Sequence, residues 1–318
     1  MFLKLFSGEV LTAFQTVQVM DESRHLVRTI TSGKSAQFPA TWRVNARYHT
    51  PGQFIAGQQT KQAERVISID DLLIADVFIP NIDEAKNHYD VRSIFTSECG
   101  YALAQEMDKN VLRTALLAAR AASTINEADA PGGSTIEAGA DIVTNAGGAL
   151  VSAFFDAAQI LDEKDIPEFG RFCVLKPAQY YKLVLDDKAI NRDFTSGNGD
   201  IRTGKVFDIA GIEIVKSNNL PQAVVASPAG DSPSGEGGNT TFGTSYGPRP
   251  LAKYAGDFSD TIGLVMHPYA VGTVKLLDLA MEGEYQINRQ GTLMVAKYAM
   301  GHGILRPECA VELSKATA

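Results

Sequence analysis

A serine set between glycines is the first place to look for chemistry. Gly243-Thr244-Ser245-Tyr246-Gly247 has the G-x-S-x-G spacing of a nucleophile elbow, where a strand-to-helix turn lifts a serine hydroxyl toward a base. That geometry needs a buried strand before the pentad and a helix after it. Here Pro248 and Pro250 follow at once, and residues 226–250 hold six Gly, four Pro and four Ser with no Leu, Ile or Val. The stretch reads as an exposed, mobile loop, so Ser245 has no elbow to sit on. Ser32-Gly33-Lys34-Ser35 matches the tail of a phosphate-binding loop, but the leading glycine would fall at Arg28. Gly197-Asn198-Gly199 opens like a dinucleotide fingerprint, yet the next glycine is Gly204 and no strong strand precedes it. His25, His49, His88, His267 and His302 form no H-x-x-x-H or H-E-x-x-H, and His88-Tyr89-Asp90 suits a structural or interfacial role. Asp70-Asp71 and Glu282-x-Glu284 read as exposed turn and strand acids before they read as a cation site. Asn239-Thr240-Thr241 is a sequon without a secretory context. No cofactor or metal is expected, and the chain is not expected to be an enzyme.

The elements must therefore position something other than a reaction centre. The chain has 318 residues and a formal net charge of −8, with 45% hydrophobic and 21% charged residues, an ordinary globular composition. No apolar run reaches the ~20 residues of a bilayer span. The start, Met1-Phe2-Leu3-Lys4-Leu5-Phe6, is hydrophobic but interrupted by charge, and is not read as a signal peptide. Cys99, Cys173 and Cys309 are odd in number and far apart, which fits a reducing compartment. Charge is unevenly placed. Residues 23–65 carry seven bases against Glu64, and residues 123–170 carry nine acids against Lys164. Such asymmetry fits unlike regions that meet, within one molecule or between copies. The acidic total disfavours a duplex-binding protein, which needs a net basic footprint.

Periodicity supplies the elements. Residues 26–30 read as a short extended segment. Residues 41–48 alternate, with Trp42, Val44, Ala46 and Tyr48 on one side and Arg43, Asn45 and Arg47 on the other. Pro51-Gly52 marks a turn; residues 63–69 and 72–79 read as further strands, so the region is a long hairpin with a Gly/Pro-rich tip. A hairpin alone is marginal in water and needs a surface to lie on. Residues 82–122 read as a helix of roughly 60 Å, capped by Asn81, its stripe formed by Ile94, Tyr101, Ala104, Met107 and Val111, with Gly100 as a candidate break. Residues 125–140 read as a Gly/Ala-rich loop. A helix over 141–161, a strand over 172–175, a helix over 177–185 and a strand over 212–215 suggest a compact α/β subdomain. Strands are expected over 261–266, 271–281, 293–298 and 310–313.

Several segments, in order, resemble the major capsid proteins of T-seven-like short-tailed bacteriophages. They are Gly8-Glu9-Val10-Leu11-Thr12-Ala13-Phe14; Ser23-Arg24-His25-Leu26-Val27-Arg28 running into Ser32-Gly33-Lys34-Ser35-Ala36-Gln37-Phe38-Pro39; Asn87-His88-Tyr89-Asp90-Val91-Arg92-Ser93; Gly272-Thr273-Val274-Lys275-Leu276; and Ala296-Lys297-Tyr298-Ala299-Met300-Gly301-His302-Gly303. Residues 123–250 match only weakly, and no residue role is carried over there. The resemblance implies an α+β fold, the HK97-like major capsid fold. Its parts would be an N-terminal arm (1–37), an E-loop hairpin (38–69), a P-domain with a long spine helix (70–124), an A-domain with the mobile loop (125–262) and C-terminal P-domain strands (263–318). It implies a structural protein that assembles into hexamers and pentamers, forming an icosahedral shell around packaged double-stranded DNA. The implied partners are copies of itself, a scaffolding protein, a portal protein at one vertex, a decoration protein and the DNA, read without sequence. The place of action would be the virion, after assembly in the host bacterial cytoplasm.

In such a shell the basic hairpin would lie across an acidic surface of a neighbour. Arg43 and Arg47 would be charge partners, Trp42 and Tyr48 buried anchors, and Lys61 and Arg65 further contacts. Three other readings compete: an encapsulin-like compartment of the same fold, a soluble α+β hydrolase using Ser245, and a β-rich binding module, which the long helix disfavours.

Overall fold

The computed structural model describes residues 10, 12–14, 18–41, 43–44, 46–55, 57, 60–86, 91–125, 130–138, 146–185, 199–200, 205–206, 208–225 and 252–315. The 226–250 loop with Ser245, the His88 segment and the start of the chain lie outside them, as does Trp42. Strands β1 (Leu26–Thr29), β2 (Ser35–Thr41), β3 (Gln62–Ser68) and β4 (Leu73–Pro80) precede helices α1 (Asn81–Lys86) and α2 (Val91–Ala119). Then come β5 (Ser134–Glu137), α3 (Ala146–Glu163), β6 (Phe172–Leu175), α4 (Pro177–Val184), β7 (Asp208–Ile209) and β8 (Ile212–Lys216). The chain closes with β9 (Thr261–Met266), β10 (Val271–Gln286), β11 (Gly291–Ile304) and β12 (Ala310–Ser314).

Two sheets share one helix. The first runs β1-β10-β11-β4, and β10 and β11 are a long hairpin paired from Val271↔Ile304 to Gln286↔Gly291. The second runs β5-β12-β9-β6-β8-β7. Within it β6, α4 and β8 form a parallel strand-helix-strand unit, and β9 is buried at every position, as a central strand covered on both faces should be. Helix α2, 29 residues and therefore roughly 44 Å long, crosses both. Its Cys99, Leu103, Ala104 and Met107 pack with Phe14, Ala296, Tyr298 and Met300 of the first core. Its Val111, Leu112, Ala115, Leu116 and Ala119 pack into the second, against α3 and β9. The expected stripe holds from residue 103 onward, whereas Ile94 is exposed.

Several expectations are corrected. The strand predicted over 41–48 stops at Thr41, and the described residues of 43–55 lie in no ladder. Alternation needs a facing strand, and the residues that would face it, 55–61, include Gly57 and a polar run of low strand propensity. Of the long helix expected over 82–122, the described residues show Asn81–Lys86 and Val91–Ala119 as helix; residues 87–90 lie outside the described residues, and the helix ends at Ala119. Gly100 is no break: a Cβ there would lie 2.7 Å from the Val10 carbonyl oxygen, so the glycine lets the N-terminal arm approach. Asn81 opens α1, and its side-chain amide donates to the Tyr285 hydroxyl at 3.0 Å. The stretch 125–140 is not all loop, because β5 pairs parallel with β12.

Candidate assembly surface

The β2/β3 hairpin has a fixed root and a bare tip. At the root, Ala36 faces Ile67 across the ladder, and both are buried with Val274 and Leu305 of the body. The seat is made of missing side chains. Gly272 pairs with Gly303 across β10 and β11, and Gly301 pairs with Val274 two positions along. A Cβ on Gly303 would lie 2.7 Å from Ile67 Cγ1, and one on Gly301 would lie 2.1 Å from the Ser68 carbonyl oxygen. Only glycine lets the hairpin backbone come this close.

Polar contacts lock the root. The Ile69 and Asp70 amides donate to the carbonyls of Lys34 (2.9 Å) and Met300 (3.1 Å). Arg28 Nη1 donates to the Gln37 carbonyl at 2.9 Å, and its guanidinium lies 5.6 Å from the centre of the Phe38 ring. Arg65, half-buried, donates through Nε to Thr124 Oγ1 at 3.2 Å. Asp70 pairs with Lys253 and accepts from the buried Tyr254 hydroxyl, so it is a latch, not a cation ligand. Burial raises its carboxyl above the usual range, and Lys253 opposes that. The Tyr254 hydroxyl in turn accepts from the His302 amide at 3.2 Å, and His302 Nδ1 lies 2.8 Å from Thr273 Oγ1. Burial holds His302 neutral. Glu282 likewise pairs with Lys297 at 2.6 Å. Among the described residues no group of three or more His, Cys, Asp or Glu could hold a metal.

The tip is the opposite. Tyr48 and Phe54 are as exposed as in an extended peptide, and Val44 and Ile55 are 67% and 75% exposed. Arg47 and Lys61 are exposed beside them. Arg43 is not unpaired: its Nη1 lies 2.7 Å from Asp165 Oδ2 of the same chain, in the acidic stretch that the charge pattern singled out. Of the expected contact residues, the structure thus gathers Arg43, Arg47, Tyr48 and Lys61 in the tip segment and ties Arg65 to the body.

Two junctions were not legible as partners in the sequence. Asp108, fully buried on α2, accepts from the amides of Val19 (2.9 Å) and Met20 (3.0 Å) and from Asn219 Nδ2 (3.1 Å). It thereby joins the N-terminal arm, the long helix and the second sheet's loop. Burial raises its carboxyl, and those donors oppose the shift. Arg120, at the end of α2, makes two bonds of 2.6 Å to the buried Glu312, which also accepts from Thr261 Oγ1. The available signal was an acid at a helix-stripe position and an acid in an apolar strand.

The chain is similar to phage capsid proteins. The family model described as "Gp10A-like: Major capsid protein" matches residues 37–314. The major capsid protein of Escherichia phage T7 is 38% identical over 319 residues, covering 98% of this chain and 90% of the relative. That of Enterobacteria phage T3 is 35% identical over 328 residues, with 98% and 90% covered. The capsid structure of Cyanophage P-SCSP1u superposes with a TM-score of 0.79 at 41% identity, covering 93% of this chain and 88% of the other. A virus-like particle from Pyrococcus furiosus, at 13% identity and a TM-score of 0.55, shares the fold alone.

Proposed function

The chain belongs to the Gp10A-like family of major capsid proteins, with the HK97-like fold, and builds a phage capsid shell from copies of itself; from that premise we propose how the copies hold one another. The hairpin of one subunit lies on its neighbour, and the contact repeats around hexamers and pentamers until the shell closes. Residues 38–69 act as the E-loop, 1–37 as the arm, 70–124 and 263–318 as the P-domain, and 125–262 as the A-domain.

The observation that carries this reading is the contrast between a root locked on glycines and a tip with its apolar side chains in water. Burying a side chain such as Val44, Tyr48, Phe54 or Ile55 contributes about 1.5–3 kcal/mol. An exposed ion pair contributes ~0–1 kcal/mol. The apolar tip, with Trp42 and Tyr48 as buried anchors, therefore drives docking, while Arg43, Arg47 and Lys61 set its register. Each contact can be weak, because linked contacts add through effective concentration.

Assembly takes place in the host bacterial cytoplasm with a scaffolding protein. A portal protein replaces one vertex, a decoration protein can bind outside, and double-stranded DNA is packaged without sequence-specific contact. A subunit of net charge −8 suits that content, because a strongly basic wall would hold DNA that must move. The test is assembly of purified subunits. Tyr48→Ser with Phe54→Ser, and separately Arg43→Glu with Arg47→Glu, should leave folded protein that forms few closed shells in electron micrographs. Normal shell yield from both pairs would defeat the proposal.

A further inference from the structure

The turn after α3 is built to receive a basic tip. Arg171, only 4% exposed, holds it from beneath: its Nε donates to the Pro167 carbonyl at 3.0 Å, and its Nη2 donates to the Ile166 carbonyl and to Asp162 Oδ1 at 2.7 Å. Lys164, the one base in this stretch, is drawn inward, where its Nζ donates to the Gly132 carbonyl (2.8 Å) and Ser134 Oγ (2.7 Å). Asp165 sits in the left-handed backbone region, φ 54°, its amide donating to the Asp162 carbonyl at 2.9 Å. A rigid turn thus presents acids outward beside Phe169, which is 94% exposed.

We infer that this turn, centred on Asp165 and Phe169, is the docking surface for the hairpin tip of another copy, and that the free subunit covers it with its own Arg43. The inference rests on the hairpin reading above and names its receiver. Charge complementarity selects the occupant, and the molecule's own tip already marks the place: Arg43 reaches Asp165 across 122 positions of chain. The intramolecular pair opens easily. Its side chains are 64% and 68% exposed, so it shifts the covered-to-open ratio by at most about fivefold. In the covered position Tyr48, Phe54 and Ile55 stay bare, so the subunit exchanges its own tip for a neighbour's when one arrives. The same pair then forms between copies, as in a swapped element.

Charge reversal separates the two settings of the pair. Arg43→Asp subunits, like Asp165→Arg subunits, have like charges both within one copy and between copies, and should assemble at least about fivefold more slowly than wild type. Mixed in equal amounts, they can alternate around a hexamer with every contact between copies an opposite pair and every contact within a copy repulsive. The mixture should regain hexamers, and by light scattering its onset should come sooner than wild type, since no subunit is self-covered. The double variant, carrying both reversals, should match wild type in onset. A mixture no faster than its components overturns the docking surface, and a rescued mixture with wild-type onset overturns the self-covering. Failure of the underlying hairpin reading shows elsewhere, as full assembly of Tyr48→Ser with Phe54→Ser.

Discussion

His25 is 2% exposed, its ring shut away from water. Burial pushes its pKa down to about 4 and the nearby Lys275 charge helps, while Asp21 and Glu22 pull the other way. In the unfolded chain the imidazole titrates near 6.5. Between those values the unfolded state binds the proton and the folded state does not, so stability falls as pH drops from about 6.5 to about 4. This group alone removes about 3 kcal/mol across that window. The raised carboxyls of Asp70 and Asp108 act with the opposite sign, because the folded chain takes up their protons more readily. Urea midpoints of unassembled subunits should therefore fall with acid, and His25→Leu should flatten the slope by about one proton. A parallel pH dependence in that variant would exonerate the histidine. Asp108→Ala leaves the Val19 and Met20 amides without their acceptor. Offset by the removal of a desolvated charge, the expected loss is about 2 kcal/mol, with faster hydrogen exchange at those two amides. Asp108→Asn should fall between. An acid between Met107 and Val111 is visible in the sequence as an anomaly on a buried stripe. That its donors come from Val19 and Met20 is not visible, because nothing local encodes a partner 88 or 89 positions away.

Elements were more legible than partners, for a physical reason. Where a segment buries one face on its own chain, its period is written in the residues: β9, β12 and the later turns of α2 stand close to where the apolar pattern puts them. Where burial is supplied by another element, the pattern misleads or falls silent. Residues 41–48 alternate like a strand, but past Thr41 the described residues lie in no ladder, so their pattern reflects a surface other than a ladder. β5 is only Ser-Thr-Ile-Glu, too short and mixed to announce itself, and forms because β12 offers a free edge. The β10/β11 hairpin runs well past its apolar cores, to Gln286 and Gly291, because ladder pairing with β4 continues to Pro80. The glycine seat belongs to this scale. Gly301→Ala adds one methyl group where the Ser68 carbonyl lies, so the hairpin root must lift. The expected outcome is subunits whose two cores remain folded by circular dichroism, while amides of β2 and β3 exchange faster and shells are few or misshapen. Unchanged exchange there, with normal shells, would show that the root is not held by close backbone approach.

At the scale of the molecule, two electrostatic effects oppose each other when copies meet. Each subunit carries −8, so approaching subunits repel over the Debye length, about 10 Å at 0.1 M salt and longer below it. The basic hairpin and the acidic turn attract at contact, with the 2.7 Å separation of Arg43 and Asp165 as a measure of how close such a pair comes. Screening acts first on the longer-range force. Raising salt from ~0.02 M to ~0.15 M should therefore speed assembly, because it removes repulsion between whole subunits and leaves the contact pair and apolar tip largely intact. Further salt should bring little gain, since burial of Tyr48, Phe54 and their neighbours does not depend on charge. Initial rates by light scattering over a salt series measure this directly. With Arg43→Glu and Arg47→Glu the subunit charge goes from −8 to about −12, and the residual rate should depend on salt more steeply than in wild type. A wild-type rate that falls steadily with salt from the lowest concentration would mean that hairpin attraction outweighs subunit repulsion even at long range, and that charge, not the apolar tip, drives the shell together.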